Sequence, residues 1–271
     1  MIFPSGASRY HATLHTKSIR KPLLFMLHGF MGSGKVFSHL IPDLIKSFTP
    51  VTIDLAGHGS TYTPADPVQF KTELQTAQLH SLFRRFGTEK YYLYGYSMGG
   101  RLALQYAARY PGQLSGLCIE SAHCGIESED ERAKRVETDS GRALLLQENY
   151  NRFITEWARL PLFSFTPEPF KKLYLQIAAA QNPDCMAVSL RGFGAGVMPA
   201  MCEKLMALNL PLFYLAGEAD KKYVQVMKEM KECTPLSELI TVAGAGHRVH
   251  TDRPESVIQA LRQLKESGVN N

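Results

Sequence analysis

Short apolar runs recur along this 271-residue chain, and most of them end in a glycine or a polar residue. The runs lie at 23–27, 91–94, 117–121, 210–216 and 239–243. Continuous apolar runs of this length are typical of strands that are buried on both faces of a parallel sheet. Helical stretches separate them along the chain. The pattern therefore predicts a single α/β domain with a mostly parallel, doubly wound sheet.

One of these runs leads into a glycine-rich turn. The residues Gly95-Tyr96-Ser97-Met98-Gly99 follow the strand at 91–94 and precede a helical stretch. A strand, a Gly-x-Ser-x-Gly turn and a helix form a nucleophile elbow, which raises a serine hydroxyl above the end of a sheet. The alternative is a glycine-rich loop that only turns the chain.

Residues that could assist this serine follow three other strands. The run at 23–27 ends in His28-Gly29-Phe30, a turn that can place the Phe30 amide beside the Met98 amide as an oxyanion hole. Asp220 and His247 follow the runs at 210–216 and 239–243.

Because the carboxyl ends of parallel strands share one edge, Ser97, Asp220 and His247 are predicted to form a catalytic triad. Taken singly, Asp220 could be a turn former and His247 a loop residue. Glu218 is the competing candidate for the acid.

The composition narrows the class of partner. The formal net charge is +5 without a run of five or six basic residues, which favours a small anionic substrate and disfavours nucleic acid. No apolar run is long enough for a membrane span, and the N-terminus lacks a leader pattern, so we expect a cytoplasmic protein. Five cysteines without close pairing or metal-ligand spacing are expected to be reduced thiols: Cys118, Cys124, Cys185, Cys202 and Cys233.

A long segment without strand character separates the two halves of the predicted sheet. We expect the core at 1–124 and 209–271, and a helical lid at 125–208 between them. An insert over the carboxyl edge of a sheet can exclude water and shape a substrate pocket.

Several motifs together resemble a known enzyme family over essentially the whole chain. The superfamily motifs, typical of α/β-hydrolases, are Leu27-His28-Gly29-Phe30, 53–59, 95–101 and 246–250. More specific are Arg101 after the elbow, 120–125 followed by Arg132 and Arg135, 156–163, and 192–196. The set is similar to the 2-succinyl-6-hydroxy-2,4-cyclohexadiene-1-carboxylate synthases of the menaquinone pathway.

The resemblance implies a lyase that needs no metal or organic cofactor. Its substrate would be 2-succinyl-5-enolpyruvyl-6-hydroxy-3-cyclohexene-1-carboxylate, a tricarboxylate that loses pyruvate after a proton is removed from a ring carbon. Arg101 and Arg132 would hold carboxylates, because an arginine fork grips them in two parallel bonds. Tyr96, Trp157 and His28 would complete the substrate-binding set.

The sequence departs from the family pattern at two places. Ala178 stands where the family carries a further lid arginine. Either Lys171, Lys172 or Arg191 replaces that arginine, or the substrate differs from that of the family. The usual tryptophan after the glycine-rich lid segment is absent at 199–202.

Two other classes of function use the same fold. A serine hydrolase of a small ester or a carbon–carbon bond would share the triad, and a non-catalytic binding module would not need it. The arginines discriminate lyase from hydrolase, because a neutral ester gives no reason to bury them. The sequence makes no prediction of oligomeric state.

Overall fold

The computed structural model describes residues 1–269, and eight strands of that part of the chain form one sheet. The strands are β1 (Ile2–Ser5), β2 (Ser8–Leu14), β3 (Leu23–Leu27), β4 (Thr49–Ile53), β5 (Tyr91–Tyr96), β6 (Leu114–Glu120), β7 (Leu212–Gly217) and β8 (Ser237–Val242). Their order is β1-β2-β4-β3-β5-β6-β7-β8. The β1–β2 and β2–β4 pairs are antiparallel, and every other pair is parallel. The predicted mostly parallel sheet is confirmed.

Helices cover both faces of this sheet. They are α1 (Ile41–Leu44), α2 (Thr72–Arg84), α3 (Met98–Arg109), α4 (Glu129–Glu148), α5 (Tyr150–Ala158), α6 (Glu168–Ala179), α7 (Pro183–Phe193), α8 (Cys202–Leu205), α9 (Lys221–Cys233), α10 (Val249–Asp252) and α11 (Pro254–Val269). In the described part of the chain, no helix combines the length and the apolar character that a bilayer crossing requires.

The central strand β3 shows why the apolar runs are continuous. Phe25 packs into the core that includes α2, α3 and α9, whereas Leu24 and Met26 pack into the core that includes α11. All five residues of β3 are buried. A strand covered by helices on both faces has no polar side, so the doubly wound prediction is confirmed.

The segment between β6 and β7 is helical. It contains α4 to α8 and, among the described residues, no strand. The α4 helix packs along α7, so the segment has its own internal contacts. This is the part of the chain for which the sequence predicts a lid, and the lid role stays a prediction.

The strands β1 and β2 were not predicted from the sequence. Along β2, Tyr10 and Ala12 are fully buried while Arg9 is exposed. Such alternation is typical of a strand with one solvated face and produces no continuous apolar run. The antiparallel hairpin therefore escapes a search for apolar runs.

The expectation of five reduced cysteines is wrong for one pair. Cys124 and Cys202, 78 residues apart, form a disulfide with a Cα–Cα distance of 5.2 Å. The fold brings the two ends of the helical segment side by side, since the Met201 amide donates to the Cys124 carbonyl oxygen at 3.0 Å. Cys118 and Cys185 are buried free thiols, and Cys233 is an exposed one.

Candidate active site

Ser97 lies in the sharp turn between β5 and α3. Its backbone has φ 52° and ψ −111°, a conformation that residues with a side chain rarely adopt. A Cβ on Gly95 would lie 2.5 Å from the Gly99 carbonyl oxygen, and a Cβ on Gly99 would lie 2.3 Å from the Leu27 carbonyl oxygen. The turn therefore requires both glycines, and it places the Ser97 hydroxyl at the carboxyl edge of the sheet.

Three side chains from different strand ends form a hydrogen-bonded chain at this edge. His247 Nε2 lies 3.1 Å from Ser97 Oγ, and His247 Nδ1 lies 2.6 Å from Asp220 Oδ2. His247 and Asp220 are 2% and 7% exposed, whereas Glu218 is exposed to solvent. The acid that contacts the histidine is therefore Asp220.

The Asp220 carboxylate fixes the orientation of the imidazole. When Nδ1–H donates to the carboxylate, Nε2 is left to accept the Ser97 hydroxyl proton. The rings of Tyr223, Tyr96 and Phe163 surround His247, with centroid distances of 4.8, 5.5 and 6.1 Å. These aromatic walls keep the imidazole in place.

The sequence predicts that the backbone amides of Met98 and Phe30 form an oxyanion hole beside Ser97. Met98 is the first residue of α3, where the amides of the first helical turn have no partner within the helix. Phe30 follows β3 in the His-Gly-Phe turn. Neither amide donates a hydrogen bond to another group of residues 1–269. Both are thus available to an oxyanion.

A cavity of about 270 Å³ opens above Ser97 and His247. Its walls combine aromatic and cationic side chains, and no Asp or Glu of residues 1–269 belongs to the lining. The aromatic residues are Phe30, Tyr96, Trp157, Phe163, Tyr174 and Tyr223. The cationic residues are Arg101, Arg135, Arg142, Lys222 and Arg248. Such a lining suits an anionic substrate with an apolar ring.

Arg101 is a buried cation on the α3 side of the cavity. It is 8% exposed, and its guanidinium donates to the Phe193 carbonyl oxygen at 3.1 Å and lies 5.1 Å from the centre of the Phe193 ring. Burial, together with the nearby Arg135 charge, lowers the pKa of Arg101 to about 10. An anion beside it would relieve both penalties.

Two further arginines share one acid on α4. Arg135 Nε lies 2.8 Å from Asp139 Oδ2, and Arg142 lies 3.0 Å from Asp139 Oδ1. Asp139 is 3% exposed and stands behind the cavity wall. One carboxylate thus orients two guanidinium groups and balances only one of their charges.

Some of the predicted substrate-binding residues line the cavity, and others do not. Arg101, Tyr96 and Trp157 line the cavity. Arg132 does not, and its Nε lies 3.4 Å from the Gly196 carbonyl oxygen. His28 is fully buried outside the lining, with Nδ1 2.7 Å from the Gly29 oxygen and Nε2 accepting from the Leu55 amide at 3.0 Å. These positions do not support substrate contacts by Arg132 and His28.

The candidates for replacing the arginine expected at Ala178 also lie outside this cavity. Arg191 donates to Gln147 at 2.8 Å on the surface, and Lys172 is absent from the lining. Lys171 lines a small neighbouring cavity of about 20 Å³, together with Ala178 and Arg248.

Four cationic residues of the lining were not predicted: Arg135, Arg142, Lys222 and Arg248. Three of them had a signal in the sequence. Lys222 comes two residues after Asp220, and Arg248 directly follows His247, so the same loops that carry the triad deliver them. Arg135 shares a helix face with Arg132, three residues earlier. Arg142 gave no signal.

Comparisons with known proteins identify the family of the chain. The family model described as alpha/beta hydrolase fold matches residues 22–254. A Bacillus subtilis protein named "Putative 2-succinyl-6-hydroxy-2,4-cyclohexadiene-1-carboxylate synthase" is 32% identical over 232 residues, 84% of each chain. A Klebsiella pneumoniae protein named as that synthase is 28% identical over 91% of this chain and 94% of its own.

Solved structures show the same similarity. MenH from S. aureus superposes with a TM-score of 0.89 at 29% identity, covering 96% of this chain and 98% of its own. A thermophilic esterase from Thermogutta terrifontis has a TM-score of 0.84 at 21% identity, covering 99% and 98%, which shows a shared fold alone. The chain belongs to the α/β-hydrolase superfamily and, within it, to the 2-succinyl-6-hydroxy-2,4-cyclohexadiene-1-carboxylate synthases.

Proposed function

We propose that this protein is a carbon–oxygen lyase of menaquinone biosynthesis. It would eliminate pyruvate from 2-succinyl-5-enolpyruvyl-6-hydroxy-3-cyclohexene-1-carboxylate and release 2-succinyl-6-hydroxy-2,4-cyclohexadiene-1-carboxylate. The observation that carries the proposal is the lining of the cavity, in which five cationic side chains and no acidic one surround the Ser97–His247 pair. These cations could bind the carboxylates of a tricarboxylate substrate.

In the proposed mechanism, Ser97 acts as a base and not as a nucleophile. His247 accepts the Ser97 hydroxyl proton, and the Ser97 oxygen takes a proton from a ring carbon of the substrate. Asp220 holds His247 in the required tautomer and stabilises the imidazolium that forms. The electron pair left on the ring carbon forms a double bond to the next ring carbon, the double bond already in the ring shifts along by one carbon, and the carbon–oxygen bond to the enolpyruvyl group breaks. The leaving group then takes up a proton and becomes pyruvate.

The proposed oxyanion hole stabilises charge that develops during proton removal. The Phe30 and Met98 amides would donate to the enolate-like oxygen of the substrate. Arginines would hold the carboxylates, so that the acidic carbon faces Ser97. The aromatic walls formed by Tyr96 and Trp157 would contact the ring, and the helical segment α4 to α8 would act as the lid.

The direct test is to mix purified protein with the enolpyruvyl substrate and measure pyruvate by a coupled assay. Wild type should release pyruvate, and Ser97→Ala should not. Arg101→Ala should cost about 2–5 kcal/mol of transition-state stabilisation, because it removes one partner of a desolvated charge pair. Arg101→Lys should recover part of that loss, since an ammonium supplies charge without the planar fork.

A matched control comes from the same lid. Arg132→Ala removes an arginine outside the cavity lining and should leave pyruvate release close to wild type. The serine hydrolase is the competing function. Three results together would replace the lyase by the hydrolase. Wild type would hydrolyse neutral esters efficiently, it would release no pyruvate from the enolpyruvyl substrate, and Arg101→Ala would leave the ester hydrolysis unchanged.

The proposed pathway role also implies a cytoplasmic enzyme. The disulfide between Cys124 and Cys202 is the feature that fits an oxidising compartment better. Mass spectrometry of the protein alkylated inside its own cells would measure the thiol state of both cysteines and decide between the two compartments.

A further inference from the structure

Arg248 lies at the wall of the cavity, between two aromatic rings. Its guanidinium carbon lies 3.8 Å from the centre of the Phe163 ring and 3.6 Å from the centre of the Tyr174 ring, so the group is sandwiched between two aromatic faces. The residue is 5% exposed. Stacking on both faces fixes the plane of the guanidinium and leaves only its edge for hydrogen bonds.

No acid of the described chain neutralises this cation. No carboxylate of residues 1–269 lies within ion-pair distance of Arg248, and the Arg248 Nε is buried without a hydrogen-bond partner. A buried charge without a partner is costly, and unsatisfied buried donors are rare in folded proteins. Arg248 lines the cavity that contains Ser97 and His247, where its side chain lies beside the uncharged Tyr96 hydroxyl and no carboxylate.

Arg248 also lies beside the position of the missing lid arginine. Ala178 of α6 and Arg248 line the same small cavity. The alanine is 7% exposed and supplies no charge. A cation from the loop after β8 therefore reaches the region that an arginine on α6 would otherwise reach.

The cations of the cavity thus come from separate elements. Arg101 belongs to α3, Arg135 and Arg142 belong to α4, and Arg248 follows His247. Resting on the proposed function, we propose that Arg248 binds one of the three substrate carboxylates, as an anion subsite that replaces the lid arginine absent at position 178. Arg248 is in this sense a specificity-determining residue of the site.

The test compares Arg248→Ala with Arg248→Lys in the pyruvate-release assay. Arg248→Ala should raise KM by about 30-fold or more, the effect of removing one partner of a buried charge pair. Its kcat should change much less, because the triad is untouched. Arg248→Lys should recover part of the loss. Arg253→Ala removes an exposed arginine outside the lining and should keep the wild-type KM.

A compensating variant separates binding from a structural role. Adding Ala178→Arg to Arg248→Ala restores a cation to the same region, since both positions line one small cavity. The double variant should regain at least part of the lost affinity. A role for Arg248 in packing Phe163 and Tyr174 alone would give no such rescue.

Citrate is a stable tricarboxylate, so its binding tests the Arg248 subsite independently of pyruvate release. If wild type binds citrate in calorimetry and Arg248→Ala binds it at least tenfold more weakly, the subsite stands even without pyruvate release. If Arg248→Ala leaves both KM and citrate binding within twofold of wild type, the subsite is overturned. A wild type that neither binds citrate nor releases pyruvate overturns both proposals.

Discussion

At the scale of single residues, Asp220 and Glu218 provide the sharpest comparison, because both follow the same strand. Asp220 Oδ2 lies 2.6 Å from His247 Nδ1, and Glu218 is exposed. Asp220→Asn should lower kcat by about four orders of magnitude through the loss of the correct tautomer. Glu218→Gln should have little effect. Steady-state kinetics of both variants, with circular dichroism to verify folding, would contradict the proposed triad if the ranking were reversed.

A buried histidine near the site should make stability depend on pH. Burial, with help from the nearby His28 charge, lowers the pKa of His58 from its ordinary 6.5 to about 3. Above pH 6.5 neither the folded nor the unfolded state binds this proton. As pH falls below 6.5 only the unfolded state binds it, so unfolding becomes easier. When the pH falls from 7 to 5, this histidine should lower the unfolding free energy by about 2 kcal/mol.

The measurement is urea unfolding of wild type and His58→Gln at both pH values. Other groups also titrate, so the difference between the two proteins isolates His58. The fall in unfolding free energy from pH 7 to 5 should be smaller in the variant by about 2 kcal/mol. Equal falls in both proteins would show that His58 keeps an ordinary pKa.

The sequence predicts some residues of the candidate site and not others. Ser97, Asp220 and His247 were predictable because each follows a strand whose carboxyl end must face the same edge. Arg132 and Arg135 were not separable, since they lie three residues apart on one helix face and the rotation of α4 decides which side chain reaches the cavity. Arg248 contacts Phe163 and Tyr174, 85 and 74 positions away, and no local pattern indicates that stack.

At the scale of elements, the contact between α3 and β3 depends on Gly99. Its Cβ would lie 2.3 Å from the Leu27 carbonyl oxygen, a backbone atom that cannot move alone. Gly99→Ala should therefore separate the helix from the strand and cost about 1–3 kcal/mol of stability, as overpacking does. It should also displace the Met98 amide and lower kcat more than the stability loss explains.

The matched control is Gly141→Ala, an exposed helical position. No atom lies within 4 Å of a Cβ there, and the residue is within α4. Alanine should stabilise the helix by about 0.5–1 kcal/mol. Thermal unfolding of the two variants should give shifts of opposite sign. A stable and active Gly99→Ala protein would contradict the close-contact argument.

The hydrophobic pattern of the sequence predicts some strands of the sheet and misses others. Strands β3, β5, β6 and β7 coincide with apolar runs because helices cover both faces of the sheet there. The edge strand β8 also coincides with an apolar run, but only Val242 of it is buried. Strand β2 alternates buried and exposed positions and is found only when period-two patterns are searched for. The pairing of Cys124 with Cys202 follows from the path of α4 to α8, which the sequence does not specify.

At the scale of the whole molecule, the charge distribution is more informative than the net charge. The chain has a formal net charge of only +5, yet five cationic side chains line one cavity of about 270 Å³. Concentrated positive potential between apolar walls attracts anions and increases their rate of association. A second cavity of about 450 Å³ shares His123, Arg135, Lys222 and Tyr223 with the first, but three glutamates line it and it adds no further cation, so the concentration of positive charge is confined to the cavity at Ser97.

The disulfide connects the two ends of the helical segment and should contribute to global stability. A cross-link across 78 residues removes chain entropy from the unfolded state. Reduction should therefore lower the unfolding free energy by about 2–4 kcal/mol, as measured by urea unfolding with and without dithiothreitol. The Cys124→Ser/Cys202→Ser double variant should match reduced wild type and be insensitive to the reductant, whereas Cys233→Ser should respond like wild type. Equal stability of all proteins in both conditions would show that this pair does not stabilise the fold.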